Sequence, residues 1–191
     1  AVDTASFPEA RDCLVNVDIA GRVVPSARSM GGRELELLCE RIDIPGTDGF
    51  EPVLTSGAMI LPSQVPGCGP FPDGKPRWIC KPSDAAQRRA AAALYVALMA
   101  DVSLDLIGAR ERWLVEGRFA ASELFVRSLA ALRPDTQVYA ASSDADVSFG
   151  ALRLIDPRIK PAGTLRRVEP LDADLATYRA RWRDLITETG S

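Results

Sequence analysis

The sequence predicts an α/β protein with a mixed sheet. Two observations carry that reading. The chain opens with two short alternating apolar segments joined by a glycine turn, the pattern of an antiparallel pair. It later alternates strand, helix and strand between Arg112 and Ala140, the pattern of a parallel crossover. A long Ala/Leu-rich run lies between the two and needs a core to bury it.

The elements follow in order. Cys13–Ile19 (CLVNVDI) and Val23–Arg28 read as two strands around a tight turn at Ala20-Gly21. Pro25 has no N–H to give a ladder, which places the second strand at an edge. Leu35, Leu38, Cys39 and Ile42 recur at helical spacing and predict a helix over 33–42, closed by Pro45-Gly46 and Asp48-Gly49. Leu54–Leu61 is apolar and fits either strand or helix. Residues 61–82 contain six prolines and read as one long loop, either a solvated connector or a functional segment. Ser83 is the predicted cap of a long helix that runs to Ile107 and ends at Gly108. A strand is predicted over Arg112–Glu116 and a helix over Ser122–Leu132, stopped ahead of Pro134. Then come a strand at Thr136–Ala140, a helix at Asp144–Ile155 and an extended piece at Thr164–Pro170. An amphipathic helix over Asp172–Glu188 presents Leu175, Tyr178, Trp182 and Leu185. There is no internal repeat, and residues 1–191 read as one domain.

Composition excludes several functions. The net charge of −3, without a basic run, argues against a nucleic-acid or membrane surface. No apolar stretch approaches the ~20 residues of a membrane helix. The opening residues AVDTASFPEA lack the basic start and apolar middle of a secretory leader. With no histidine, a Ser-His-Asp or Cys-His nucleophile cannot be assembled from this chain, and proton transfer falls to Asp, Glu or Lys. Cys13, Cys39, Cys68 and Cys80 form no C-x-x-C pair, so no metal site is expected. They read as reduced thiols of a cytoplasmic protein.

Two glycine turns carry the functional signal. Gly117 falls where a strand ends and a helix soon begins. It either lets a ligand approach the backbone, with the helix N–H groups beyond it, or simply makes the turn. Met30-Gly31-Gly32-Arg33-Glu34 poses the same pair of alternatives at the start of the first helix. Asp18, Asp144 and Asp146 are the acids nearest strand ends, where turn and cap roles compete with catalytic ones.

These segments resemble the C-terminal half of FGGY-type carbohydrate kinases, of the actin-like ATPase superfamily. The resemblance runs from about Cys13 to Ile155. It rests on Leu94-Tyr95-Val96-Ala97-Leu98, Leu104–Gly108, Val115-Glu116-Gly117, Ala120, Ser122, Leu124-Phe125 and Gly150-Ala151. Residues 16–34 (NVD…VPSARSMGGRE) resemble a branch of that family acting on ketoses. Two departures stand out. Arg118 and Phe119 occupy positions where the family's adenosine turn carries glycine, and Phe125 stands where an aromatic is often Trp. The family's catalytic Asp lies in a Gly- and His-rich segment that this chain does not contain.

The resemblance implies an RNase-H-like (actin-like ATPase) domain over residues 1–191, with a mixed sheet and flanking helices. It is the ATP-side domain expected of a longer kinase. It implies ATP and Mg²⁺ as cofactors, with adenosine held by Gly117, Arg118 and Ala120, and by Gly31 and Gly32. No catalytic residue is expected within this chain. The partners implied are a sugar, with a ketose expected, and the N-terminal half of the same kinase. A homodimer stays open as an alternative to a monomer. The altered turn leaves two rival functions: a non-catalytic actin-like module for nucleotide binding or assembly, and a related phosphotransferase acting on a carboxylate.

Overall fold

The structure is a computed structural model and describes residues 7–39, 47–141, 147–160 and 163–189. Strands β1 (Cys13–Val17) and β2 (Val23–Ala27) pair antiparallel, with Cys13 opposite Ala27 and Val17 opposite Val23. Asp18 makes their turn. Its carboxylate accepts the N–H groups of Ala20 and Arg22, each at 2.9 Å, and the Arg22 guanidinium at 2.6 Å. Asp18 is therefore a turn residue, while Asp144 and Asp146 lie outside the described residues.

Helix α1 spans Gly31–Leu38. It begins two residues earlier than the spacing predicts, so the glycine pair lies inside its first turn. It ends at Leu38, short of the predicted Ile42, because Cys39 is already extended at φ −110° and ψ 122°; Ile42 and Pro45-Gly46 lie outside the described residues. The ambiguous apolar segment resolves into two elements, helix α2 (Phe50–Ser56) and strand β3 (Met59–Leu61).

The proline-rich stretch is not all loop. Strand β4 (Arg77–Ile79) returns antiparallel to β3, with Ile60 opposite Trp78. The connection between them is held at its centre by Phe71, which packs edge-on against Trp182 at 5.6 Å. At Gly74 a Cβ would meet the Pro62 carbonyl at 2.6 Å, so the backbones approach as only glycine allows.

Helix α3 (Ala85–Leu106) is the spine of the core, with every residue from Ala90 to Met99 buried. Its cap is Asp84 rather than Ser83: the Asp84 side chain accepts the Gln87 N–H at 2.9 Å. An N-cap side chain reaches the N–H three residues on, and the helix starts at Ala85, so Ser83 is one position too early.

Strands β5 (Arg112–Val115) and β6 (Gln137–Ala141) run parallel, joined through helix α4 (Glu123–Leu132). Strand β7 (Leu165–Arg167) adds antiparallel to β6. This three-stranded sheet is the mixed sheet. The hairpin β1–β2 does not join it and forms a sheet of its own. Alternation of apolar residues identifies strands but not the sheet they enter, which is why the sequence suggested one sheet. Helix α5 (Val147–Ile155) carries Gly150 and Ala151, both exposed.

Helix α6 (Leu175–Thr189) covers β3. The buried Trp182 ring N–H donates to the Ile60 carbonyl at 2.7 Å, and the Tyr178 hydroxyl donates to the Ala58 carbonyl at 2.6 Å. A fully buried carboxylate, Asp101 on α3, faces Arg133 Nε at 2.5 Å, Arg183 Nη2 at 3.3 Å and Arg179 Nη1 at 3.6 Å. It ties α3 to the end of α4 and to α6.

Candidate functional site

The two glycine turns singled out in the sequence meet in space. After β5 the chain does not enter α4 directly. A 3-10 turn occupies Gly117–Ala121, opened by Gly117 at φ +67°. That left-handed conformation favours glycine, and a Cβ there would meet nothing within 4 Å. Gly117 is thus required by backbone geometry, and the space beside it is open. Ser122 caps α4 by accepting the Phe125 N–H at 3.4 Å, so one of that helix's free donors is used internally.

Phe119 turns inward from the 3-10 turn. It stacks on Phe125, ring centroids 4.7 Å apart and tilted by 38°. Its tip lies 3.6 Å from where a Cβ on Gly31 would stand. That is ordinary van der Waals distance, so the N-terminus of α1 packs beside the turn after β5. Met30, the α1 cap residue, makes no side-chain cap hydrogen bond, and a Cβ on Gly32 would meet nothing within 4 Å. Ala120 is buried beneath the turn. All five predicted positions, Gly31, Gly32, Gly117, Arg118 and Ala120, thus fall on α1 and on a turn that α1 packs beside.

Charge gathers at the same rim. Glu36, on α1, faces Arg33 Nη1 at 3.3 Å and Arg118 Nη1 at 3.7 Å. Arg118 thus ties the turn to α1 through Glu36.

Beneath the rim, Glu34 anchors α1. It is 1% exposed. Its Oε1 accepts the Tyr95 hydroxyl at 2.6 Å, the Gln64 N–H at 3.0 Å and the Ser63 hydroxyl at 3.3 Å. Burial, reinforced by the neighbouring Glu34, pushes the Tyr95 hydroxyl far above its ordinary range, so it stays protonated and donates. In the sequence Glu34 shows only as a charge after a glycine pair. The available signal was its place one helical turn before Leu38, on the border of the apolar stripe.

Among the described residues no group of three or more His, Cys, Asp or Glu side chains could hold a metal ion. The four cysteines are free thiols, Cys13 and Cys39 buried and Cys80 exposed. No described helix is long and apolar enough to cross a membrane. A separate groove of about 510 Å³, lined by Arg11, Pro62, Phe71, Lys75 and Ile186 among others, contains none of the rim residues.

The architecture is that of a mixed α/β domain with two glycine turns gathered at one rim. The model of the carbohydrate kinase FGGY C-terminal domain matches residues 1–162, and the chain belongs to that family. Among solved structures it is similar to a carbohydrate kinase from Novosphingobium aromaticivorans, at 55% identity and a TM-score of 0.92. That similarity covers 100% of this chain and 43% of the other, so the chain spans less than half the length of that kinase. No curated protein matches the chain.

Proposed function

We propose that this chain is the nucleotide-side domain of a longer ATP-dependent sugar kinase. The domain is RNase-H-like, of the actin-like ATPase kind. The full protein transfers the γ-phosphate of ATP to a sugar hydroxyl, with a ketose as the acceptor expected. Membership of the FGGY family supports the reaction class. The observation that carries the site is the meeting of Gly31 with Phe119, which brings the α1 N-terminus to the turn that Gly117 opens.

Gly117, Ala120, Gly31 and Gly32 form the floor for adenosine, and Arg118 stands at its edge as the nucleotide's further contact. Open space above Gly117 and Gly32 suits a ligand lying close to backbone. A nucleotide held here would carry Mg²⁺ on its phosphates, and that ion would neutralise phosphate charge. The N-terminal half supplies the base that takes the sugar proton and the rest of the sugar pocket. Such an enzyme works in the cytoplasm, where its cysteines stay reduced.

ATP titration of the full-length protein by calorimetry tests this reading. Gly117→Val is the informative variant. At φ +67° a β-branched residue costs on the order of 1–3 kcal/mol of backbone strain. Its side chain also enters the open space. The expected outcome is a lower melting temperature together with ATP binding at least about tenfold weaker. Normal ATP affinity in a folded Gly117→Val protein overturns the site.

One observation favours the reading as a non-catalytic module: Phe119 fills the turn from within, where related turns carry glycine. A module used only for assembly binds no ATP in the same titration.

A further inference from the structure

Two arginines and one carboxylate meet at the rim. Arg33 and Arg118 share one carboxylate, Glu36, so the three side chains carry a net positive charge. The two contacts differ in kind. Arg33 lies three residues before Glu36 on the same helix and makes a hydrogen bond to Oε2 at 3.3 Å. Arg118 comes from the neighbouring turn, and its 3.7 Å approach to Oε1 is a loose ion pair between two elements. Both guanidiniums remain more than half exposed, at 58% and 57%. Arg118 directly follows Gly117, so it stands at the edge of the open space over the turn.

We propose that Arg118 is the phosphate-reading residue of this site, held in reserve by Glu36 until a nucleotide polyphosphate arrives. The proposal rests on the nucleotide reading above. Binding exchanges one acceptor for another: the Arg118 guanidinium leaves Glu36 Oε1 and takes phosphate oxygens. A polyphosphate carries more charge than a carboxylate and suits the guanidinium fork. Arg33 stays on Glu36 and keeps that carboxylate paired after Arg118 departs. Glu36 is therefore a competitor for Arg118, and the turn discriminates nucleotides from nucleosides. An adenosine without phosphates gains nothing from the exchange.

The test uses the full-length protein and three titrants, ATP, ADP and adenosine, measured by calorimetry at one ionic strength. Arg118→Gln should weaken ATP and ADP about tenfold, as loss of a charge-assisted contact does, and leave adenosine within about twofold. Arg118→Lys keeps the charge and should recover part of the ATP affinity. Glu36→Gln removes the competitor and should tighten ATP about two- to fivefold, the scale of an exposed ion pair. Melting curves accompany each variant, and Arg118→Lys stands in if Arg118→Gln does not fold.

Equal weakening of adenosine and ATP by Arg118→Gln would mean that Arg118 only shapes the turn, and it overturns the proposal. So does unchanged ATP binding in Arg118→Gln, or weaker ATP binding in Glu36→Gln. If wild type binds adenosine but the variants do not separate it from ATP, the Arg118 assignment alone fails. If wild type binds neither, the nucleotide reading fails and takes this proposal with it.

Discussion

Asp101 concentrates more of the fold's electrostatics than any other single residue described above. Its side chain is fully buried, yet it faces three arginines from two other segments, Arg133, Arg179 and Arg183. A lone buried carboxylate would cost several kcal/mol in lost hydration, and the three guanidiniums offset that. The reverse holds when the carboxylate is removed, because Arg179 and Arg183 then lose the carboxylate they face and Arg133 is left with Asp105 at 2.9 Å. Asp101→Ala should destabilise the domain by about 3–5 kcal/mol, read as a fall in the urea midpoint with little change in slope. Asp101→Asn keeps the shape but not the charge and should fall between wild type and Ala. A midpoint unchanged in Asp101→Ala would show that the arginines find other partners. None of this was legible in the sequence. Asp101 lies inside an Ala/Leu-rich helix, and its partners lie 32 and 82 positions away at Arg133 and Arg183.

At the scale of elements, short joints hold the strands and turns in place. Asp12, just before β1, accepts Arg28 Nε at 3.0 Å and the Gly69 N–H at 2.9 Å. One carboxylate thus joins the hairpin to the connection between β3 and β4. The Arg28 hydrogen bond, followed by that of Gly69, holds the Asp12 carboxyl below its ordinary value near 3.8. A carboxyl depressed by folding stabilises the folded state above its unfolded value. That stabilisation is lost as pH falls through the lower, folded value. The joint should therefore weaken below about pH 4, and Asp12→Asn should lose that part of the acid sensitivity. Urea midpoints for both proteins between neutral pH and about pH 3 check it, and parallel curves would remove Asp12 from the account.

Legibility follows the same division. The hairpin, α3, β5, α4 and β6 were readable because their apolar patterns are local and turn or stop residues such as Gly21, Gly108, Gly117 and Pro134 bound them. Strands β3 and β4 have three residues each and lie among prolines, too short for any period to show. Helix α2 carries Pro52 in its first turn and opens on Gly49 at φ +80°, signals that read as loop. The members of the site were readable one turn at a time. Their meeting was not, because it depends on Phe119 packing against Gly31, 88 positions earlier in the chain.

Across the whole molecule, apolar surface is unevenly spread. The core is continuous from α3 through β3 to Trp182. The hairpin instead leaves Val17, Val23 and Ile19 open, Ile19 at 83% exposed, and Leu114 on β5 is exposed as well. Among the described residues β1 pairs only with β2, and β5 only with β6, so each strand keeps an unpaired edge. Apolar side chains beside free strand edges are the usual route to self-association. Residues 1–191 expressed alone should associate with rising concentration, seen by sedimentation or light scattering. Lysine at Val17 and Ile19 should suppress this without lowering the melting temperature, because neither side chain is in the core. A wild-type chain that stays monomeric throughout would show that these edges are already protected.

The bond from Trp182 to Ile60 also sets an order in time. The ring that covers β3 belongs to a residue 122 positions further along the chain. On the ribosome, Met59-Ile60-Leu61 leaves the exit tunnel long before that ring is made. At ~5–20 residues per second, the wait lasts on the order of ten seconds. For that interval the strand has no lid and depends on β4 and α3 for shelter. The helix that seals the core lies past residue 162, where the match to the family model ends, so the last step of folding waits on Leu175–Thr189.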